Sequence, residues 1–149
     1  MTREEIIAAV SPCGIDCARC IALVGGDTQK HAIALQETLG PSFEKWADKF
    51  TAYVPAFAKY RDFREVLDLL AGVDCIGCRD RDPEGIPCGI IRCFKEKGVD
   101  FCFECDEFPC DVEGLNDDLK ERWKETGMRI REIGLEAWYD DMRKRHRYE

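Results

Sequence analysis

The chain has 149 residues, of which 45% are hydrophobic and 35% charged, and it carries a formal charge of −8. Such a chain suits a single domain over residues 1–149, offers no basic footprint for nucleic acid, and holds no run near the ~18 apolar residues of a membrane span. Its start, MTREEIIAAVSPCG, is too short and too charged for a signal peptide, so a cytoplasmic, reducing setting is expected, in which ten cysteines are metal ligands rather than disulfides.

Helical periodicity dominates. Thr2-Arg3-Glu4-Glu5 has the form of a capping box and predicts a short helix. A second helix is expected from about Gln29 to Leu39, with Ala32, Leu35 and Leu39 on one face and Gly40-Pro41 as its stop. Ser42 is placed to cap a third, whose stripe is Phe43, Trp46, Ala47, Phe50, Tyr53, Val54 and Phe57, with a break at Pro55. Asp62 and Glu65 form another capping pair, ahead of Phe63, Val66, Leu67 and Leu70. These aromatic stripes are expected to pack a core rather than line a ligand groove.

The pattern changes after Gly72. Seven of the ten cysteines lie from Cys75 to Cys110, among Gly and Pro. One helix is expected from Gly89 to Lys97, stopped by Gly98, and DFCFEC reads as a short strand or extended loop. Two helices then close the chain: Val112, Leu115, Leu119 and Trp123 mark the first, ended by Gly127, and Ile130, Ile133, Ala137, Trp138 and Met142 mark the second. The basic run RKRHRY suits a helix C-terminus. The expected fold class is mainly α, a small helical domain with an irregular, metal-stapled, cysteine-rich insert.

Three C-x2-C pairs stand out: Cys17/Cys20, Cys75/Cys78 and Cys102/Cys105. Such a turn presents two thiolates to one ion while nearby N–H groups donate to sulfur. Cys13, Cys88, Cys93 and Cys110 lie near enough in sequence to complete sites. His31 and His146 are far from the pairs or in the basic tail, which leaves all-cysteine sites that select zinc or an iron–sulfur cluster. Spacing groups Cys75, Cys78, Cys88 and Cys93 as one local four-thiolate site. It leaves Cys13, Cys17, Cys20, Cys102, Cys105 and Cys110 as a long-range set of six, two more than one tetrahedral zinc needs. Two zinc ions are the expected cofactors, with a 4Fe-4S cluster as the alternative.

At CGIDCARC, CIGC, IRCFKEKGVDFCFEC and EFPC the chain resembles the bacterial and archaeal proteins catalogued as domain of unknown function 3795. Cys13, Gly14, Cys17 and Cys20 carry the first element of that resemblance, and Cys75, Gly77 and Cys78 the second. Cys93, Gly98, Cys102, Cys105, Phe108, Pro109 and Cys110 carry the rest. The resemblance implies metal binding, most often zinc, without an assigned activity.

The spacing C-x3-C-x2-C at Cys13, Cys17 and Cys20 is also the cluster signature of radical S-adenosylmethionine enzymes. Those need repeated βα units around the cluster, and this helical pattern supplies none. A thioredoxin-like dithiol wants one C-x-x-C in a βαβ setting, which is likewise missing. The expected function is therefore a zinc-stabilised interaction or adaptor module with a protein partner, not an enzyme. An iron–sulfur electron carrier or redox sensor is the alternative.

Overall fold

The computed structural model describes residues 1–84 and 87–148. Among these the architecture is helical, with two isolated β-bridges, Val10 with Asp16 and Leu23 with Cys75. The helices are α1 (Arg3–Ala9), α2 (Asp27–Leu39), α3 (Phe43–Phe50), α4 (Tyr60–Ala71), α5 (Gly89–Lys97), α6 (Asp117–Ile133) and α7 (Leu135–Met142). Short 3₁₀ turns cover Pro55–Lys59 and Cys102–Glu104. By their contacts they form two compact units, one of residues 1–18 and 76–149, the other of residues 19–75.

The first unit begins as the sequence dictates. Thr2 Oγ1 accepts from Glu5 N, the Glu5 carboxylate accepts from Thr2 N, and two otherwise orphaned donors of α1 are satisfied. Helix α1 packs on α7, and Ile6, Val10, Phe101, Ile130, Leu135, Trp138 and Tyr139 bury one apolar cluster between them. Ile6 and Phe101 are fully buried. A smaller cluster, Ile90, Phe108, Val112 and Trp123, lies under α5 and α6.

Helix α6 departs from the sequence expectation. It runs through Gly127 to Ile133 and stops at Gly134, so Ile130 and Ile133 belong to it and not to α7. Gly127 ends nothing. A Cβ there would lie 2.3 Å from the Phe108 ring, so the glycine is the space that ring occupies. The DFCFEC segment is likewise a 3₁₀ turn, not a strand: Cys105 N donates to Cys102 O at 3.1 Å.

In the second unit α2 and α4 lie side by side. Gln29 Nε2 donates to Ala71 O at 2.9 Å and Val73 O at 3.0 Å, satisfying carbonyls at the end of α4. Helix α4 starts at Tyr60, so Asp62 sits in its first turn instead of capping it. Phe43 gathers the rings of Phe50, Phe57 and Tyr60 at centroid distances of 5.2–6.4 Å. The stripes are only partly buried: Ala32, Ala47 and Leu67 are buried, as is Tyr60, while Trp46, Phe50, Tyr53, Val54, Phe63 and Val66 are exposed.

Candidate metal centre

The first unit holds Cys13, Cys17, Cys78, Cys88, Cys93, Cys102, Cys105 and Cys110; the second holds Cys20 and Cys75. All ten are half-buried. In the second unit the turn after Cys20 pairs with Cys75: Cys75 N donates to Ala22 O at 3.1 Å and Val24 N to Cys75 O at 2.9 Å.

In the first unit, five cysteines from three stretches of chain pack on the Ile90, Phe108, Val112 and Trp123 cluster: Cys13, Cys88, Cys102, Cys105 and Cys110. Backbone hydrogen bonds account for this. Cys102 N donates to Pro12 O at 2.9 Å, which sets Cys102 beside Cys13. Gly89 N donates to Glu113 O at 3.0 Å, which brings the start of α5, and Cys88 as its N-cap, to the segment after Cys110. Phe108 N donates to Cys105 O at 3.0 Å and turns the chain toward Cys110.

Cys93 lies on α5, near enough to Cys102 and Cys110 to disfavour their ionisation. One turn on, Lys97 Nζ pairs with Glu107 at 2.5 Å and fastens that face of α5 to the cysteine loop. The structure thus brings Cys88 and Cys93 to Cys13, Cys102, Cys105 and Cys110. Cys17 sits beside α1, its N–H donating to Ala9 O at 2.9 Å.

Burial governs the chemistry of this set. It pushes the Cys102 thiol up to about 12, against the pull of the Trp123 indole N–H, with Cys13, Cys93 and Cys110 raising it further. Burial also raises Cys13, whose sulfur is 3.0 Å from Ser11 Oγ and whose neighbour Cys88 disfavours a second charge. Cys110 is raised by burial and by Cys93 and Cys105. Several anionic thiolates cannot share such a place without a cation among them. Among the described residues, no three His, Cys, Asp or Glu side chains stand as a finished metal cage. The donor chemistry, all thiol, is of the kind a thiophilic metal takes.

Three residues outside the cysteine pattern shape this region. Arg131, on α6, donates from Nε to Phe103 O at 2.6 Å, from Nη2 to Cys105 O at 2.8 Å and from Nη1 to Phe108 O at 3.2 Å. Arg79, next to Cys78, donates from Nε to Val10 O at 3.0 Å and lies over Phe101, 4.8 Å from its centroid. Burial lowers its pKa, while Asp100, Cys17, Glu104 and Cys13 oppose that shift. Trp123 meets Phe108 edge to face at 4.9 Å and walls a cavity of about 30 Å³ with Cys13, Gly14, Leu115 and Thr126. Periodicity marks Trp123 as inward-facing, and nothing in the sequence separates Arg131 from the other basic residues of α6. His31 takes no part, its Nδ1 lying 2.7 Å from Asp27 O in α2.

Among the described residues no helix is long and apolar enough to cross a membrane. Comparison with curated proteins and with solved structures gives no match. The sequence model of the family described as Protein of unknown function (DUF3795) matches residues 9–113, the span that holds all ten cysteines, and the chain belongs to that family.

Proposed function

We propose that the chain is a cytoplasmic metal-binding module in which thiolates of the first unit hold structural zinc, and that its work is to present a helical surface to a protein partner. The observation that carries this reading is the packing of Cys13, Cys88, Cys102, Cys105 and Cys110 on one small apolar cluster. These residues come from α1's exit, α5's start and the loop before α6, segments with little core of their own. A metal would join them and contribute folding energy directly. Cys17 and Cys78 remain further donors in the first unit, and Cys20 and Cys75 in the second. Exposed Trp46, Tyr53, Val66 and Leu69 in the second unit support an interaction role.

One observation favours a second reading, an iron–sulfur electron carrier or redox sensor: with Cys93 the set numbers six thiols, more than one zinc uses. Elemental analysis and a visible spectrum of anaerobically purified protein test both. Colourless protein carrying zinc supports the module. Brown protein absorbing near 400 nm moves the same cysteines to a 4Fe-4S cluster. Protein free of both metals overturns the proposal.

A further inference from the structure

Ser11 is buried, 2% exposed, and its Oγ lies 3.0 Å from the sulfur of Cys13. The turn around it does not need that side chain. Ser11 N donates to Ile15 O at 2.9 Å, Gly14 N donates to Ser11 O at 2.9 Å, and Val10 pairs with Asp16 beyond them. The backbone alone closes the loop.

The hydroxyl accepts from Ile15 N at 3.0 Å, and a hydroxyl that accepts in this way is the stronger donor. Cys13 Sγ at 3.0 Å and Ile15 O at 3.2 Å stand within reach of its hydrogen. Ile15 O already takes the Ser11 N–H, which leaves the sulfur as the acceptor to serve. The turn is held from both sides. Pro12 O accepts from Cys102 N at 2.9 Å, and a Cβ at Gly14 would stand 2.7 Å from Thr126 Cγ2 on α6. Hydroxyl and sulfur are thus kept together by a fixed backbone.

Resting on the thiolate–metal reading above, we propose that Ser11 is a positioning residue of the centre, its O–H donating to the sulfur of Cys13 as that sulfur binds the metal. The relay runs from Ile15 N–H to Ser11 Oγ and from Ser11 O–H to Cys13 Sγ, and it brings a backbone dipole to bear on a ligand through a side chain. A metal-bound sulfur has no hydrogen of its own, the thiol proton having passed to solvent, so the serine supplies the one between them. The contact already stands in the folded chain, and outer donors of this kind orient ligands in metal sites generally. Cys13 is thereby a ligand among the six thiols.

The test uses the full-length chain, reduced, stripped by chelation and loaded with cobalt(II). Thiolate ligation gives a sulfur-to-cobalt charge-transfer band in the near ultraviolet. A hydrogen bond lowers the energy of the sulfur lone pair, so Ser11→Ala should move that band to longer wavelength and weaken cobalt binding about tenfold in chelator competition. A role confined to the turn would lower Tm and move neither. Wild-type band and affinity in Ser11→Ala would overturn this inference and leave the metal reading intact. The wild-type chain loaded with cadmium-113 decides without any variant: the Cys13 β-protons should couple to a thiolate-shifted cadmium resonance. Coupling to other cysteines and not to Cys13 would overturn the inference even where Ser11→Ala does not fold. Absence of any thiolate-bound metal would overturn both readings.

Discussion

Arg131 Nη2 donates to the carbonyl of Cys105 at 2.8 Å, so a helix side chain holds the backbone of the cysteine loop. With Phe103 O and Phe108 O also taken, the planar fork spans the stretch from Phe103 to Phe108 and lies 5.0 Å from the Phe108 ring centroid. A fork of this shape is beyond lysine. Arg131→Lys should keep at most one of the three bonds, and Arg131→Met none. The groups are partly solvated, so the expected loss is about 1–2 kcal/mol for the methionine variant, a fall in Tm of roughly 2–8 °C. Thermal melting followed by circular dichroism checks it, and a variant melting with the wild type would show that the loop holds itself.

Gly127 and Phe108 share one space. A Cβ at residue 127 would stand 2.3 Å from Phe108 Cζ, inside contact distance. Alanine would add about 1 kcal/mol of helix propensity to α6 and force the ring out of its place, at about 1–3 kcal/mol. Gly127→Ala is therefore expected to destabilise. The double variant Gly127→Ala/Phe108→Leu should cost less than the sum of the two single changes. Urea denaturation of the four proteins measures this, and a stabilised Gly127→Ala would remove the ring from that space.

Gly114 is under a tighter constraint. Its φ is +81°, and a Cβ would fall 1.5 Å from Pro87 O. No side-chain adjustment relieves a clash with backbone. Gly114→Ala should break the Gly89 N to Glu113 O bond and loosen the start of α5, with a loss above about 2 kcal/mol. Amide exchange of Gly89 reports it, and unchanged protection there would contradict the close approach.

Metal removal should act on the cysteine loop before the helices. The loop lies among half-buried thiols and owes its place to a few backbone bonds and Arg131. Chelation under reducing conditions should lower Tm by about 10 °C, as expected for losing several kcal/mol from a chain of this size. Circular dichroism and melting left unchanged in verified metal-free protein would deny the metal a structural role.

Elements whose signals are local were legible from the sequence. Helix α5 runs from Gly89 to Lys97 and stops at Gly98 in a left-handed conformation, as a helical run followed by glycine implies. The box at Thr2 and Glu5 is another such signal. Gly127 was not legible, because its reason is a ring from a loop nearly twenty residues away. The grouping of thiols has the same origin. Spacing along the chain sets Cys88 and Cys93 with Cys75 and Cys78. The folded backbone sets Cys88 beside Glu113 and Cys102 beside Pro12, through bonds no spacing rule contains. The sequence reading sets the N-terminal cysteine segment with the segment around Cys102, and the backbone brings Cys102 to Pro12, beside Cys13.

X-ray absorption at the metal edge tests the central claim most directly, because it reads the atoms around the ion. For zinc-loaded protein purified under anaerobic conditions, the account predicts a shell of about four sulfurs at ~2.3 Å and no nitrogen or oxygen ligand. A shell containing imidazole or carboxylate, or a fully reduced protein that binds no metal at all, would contradict it.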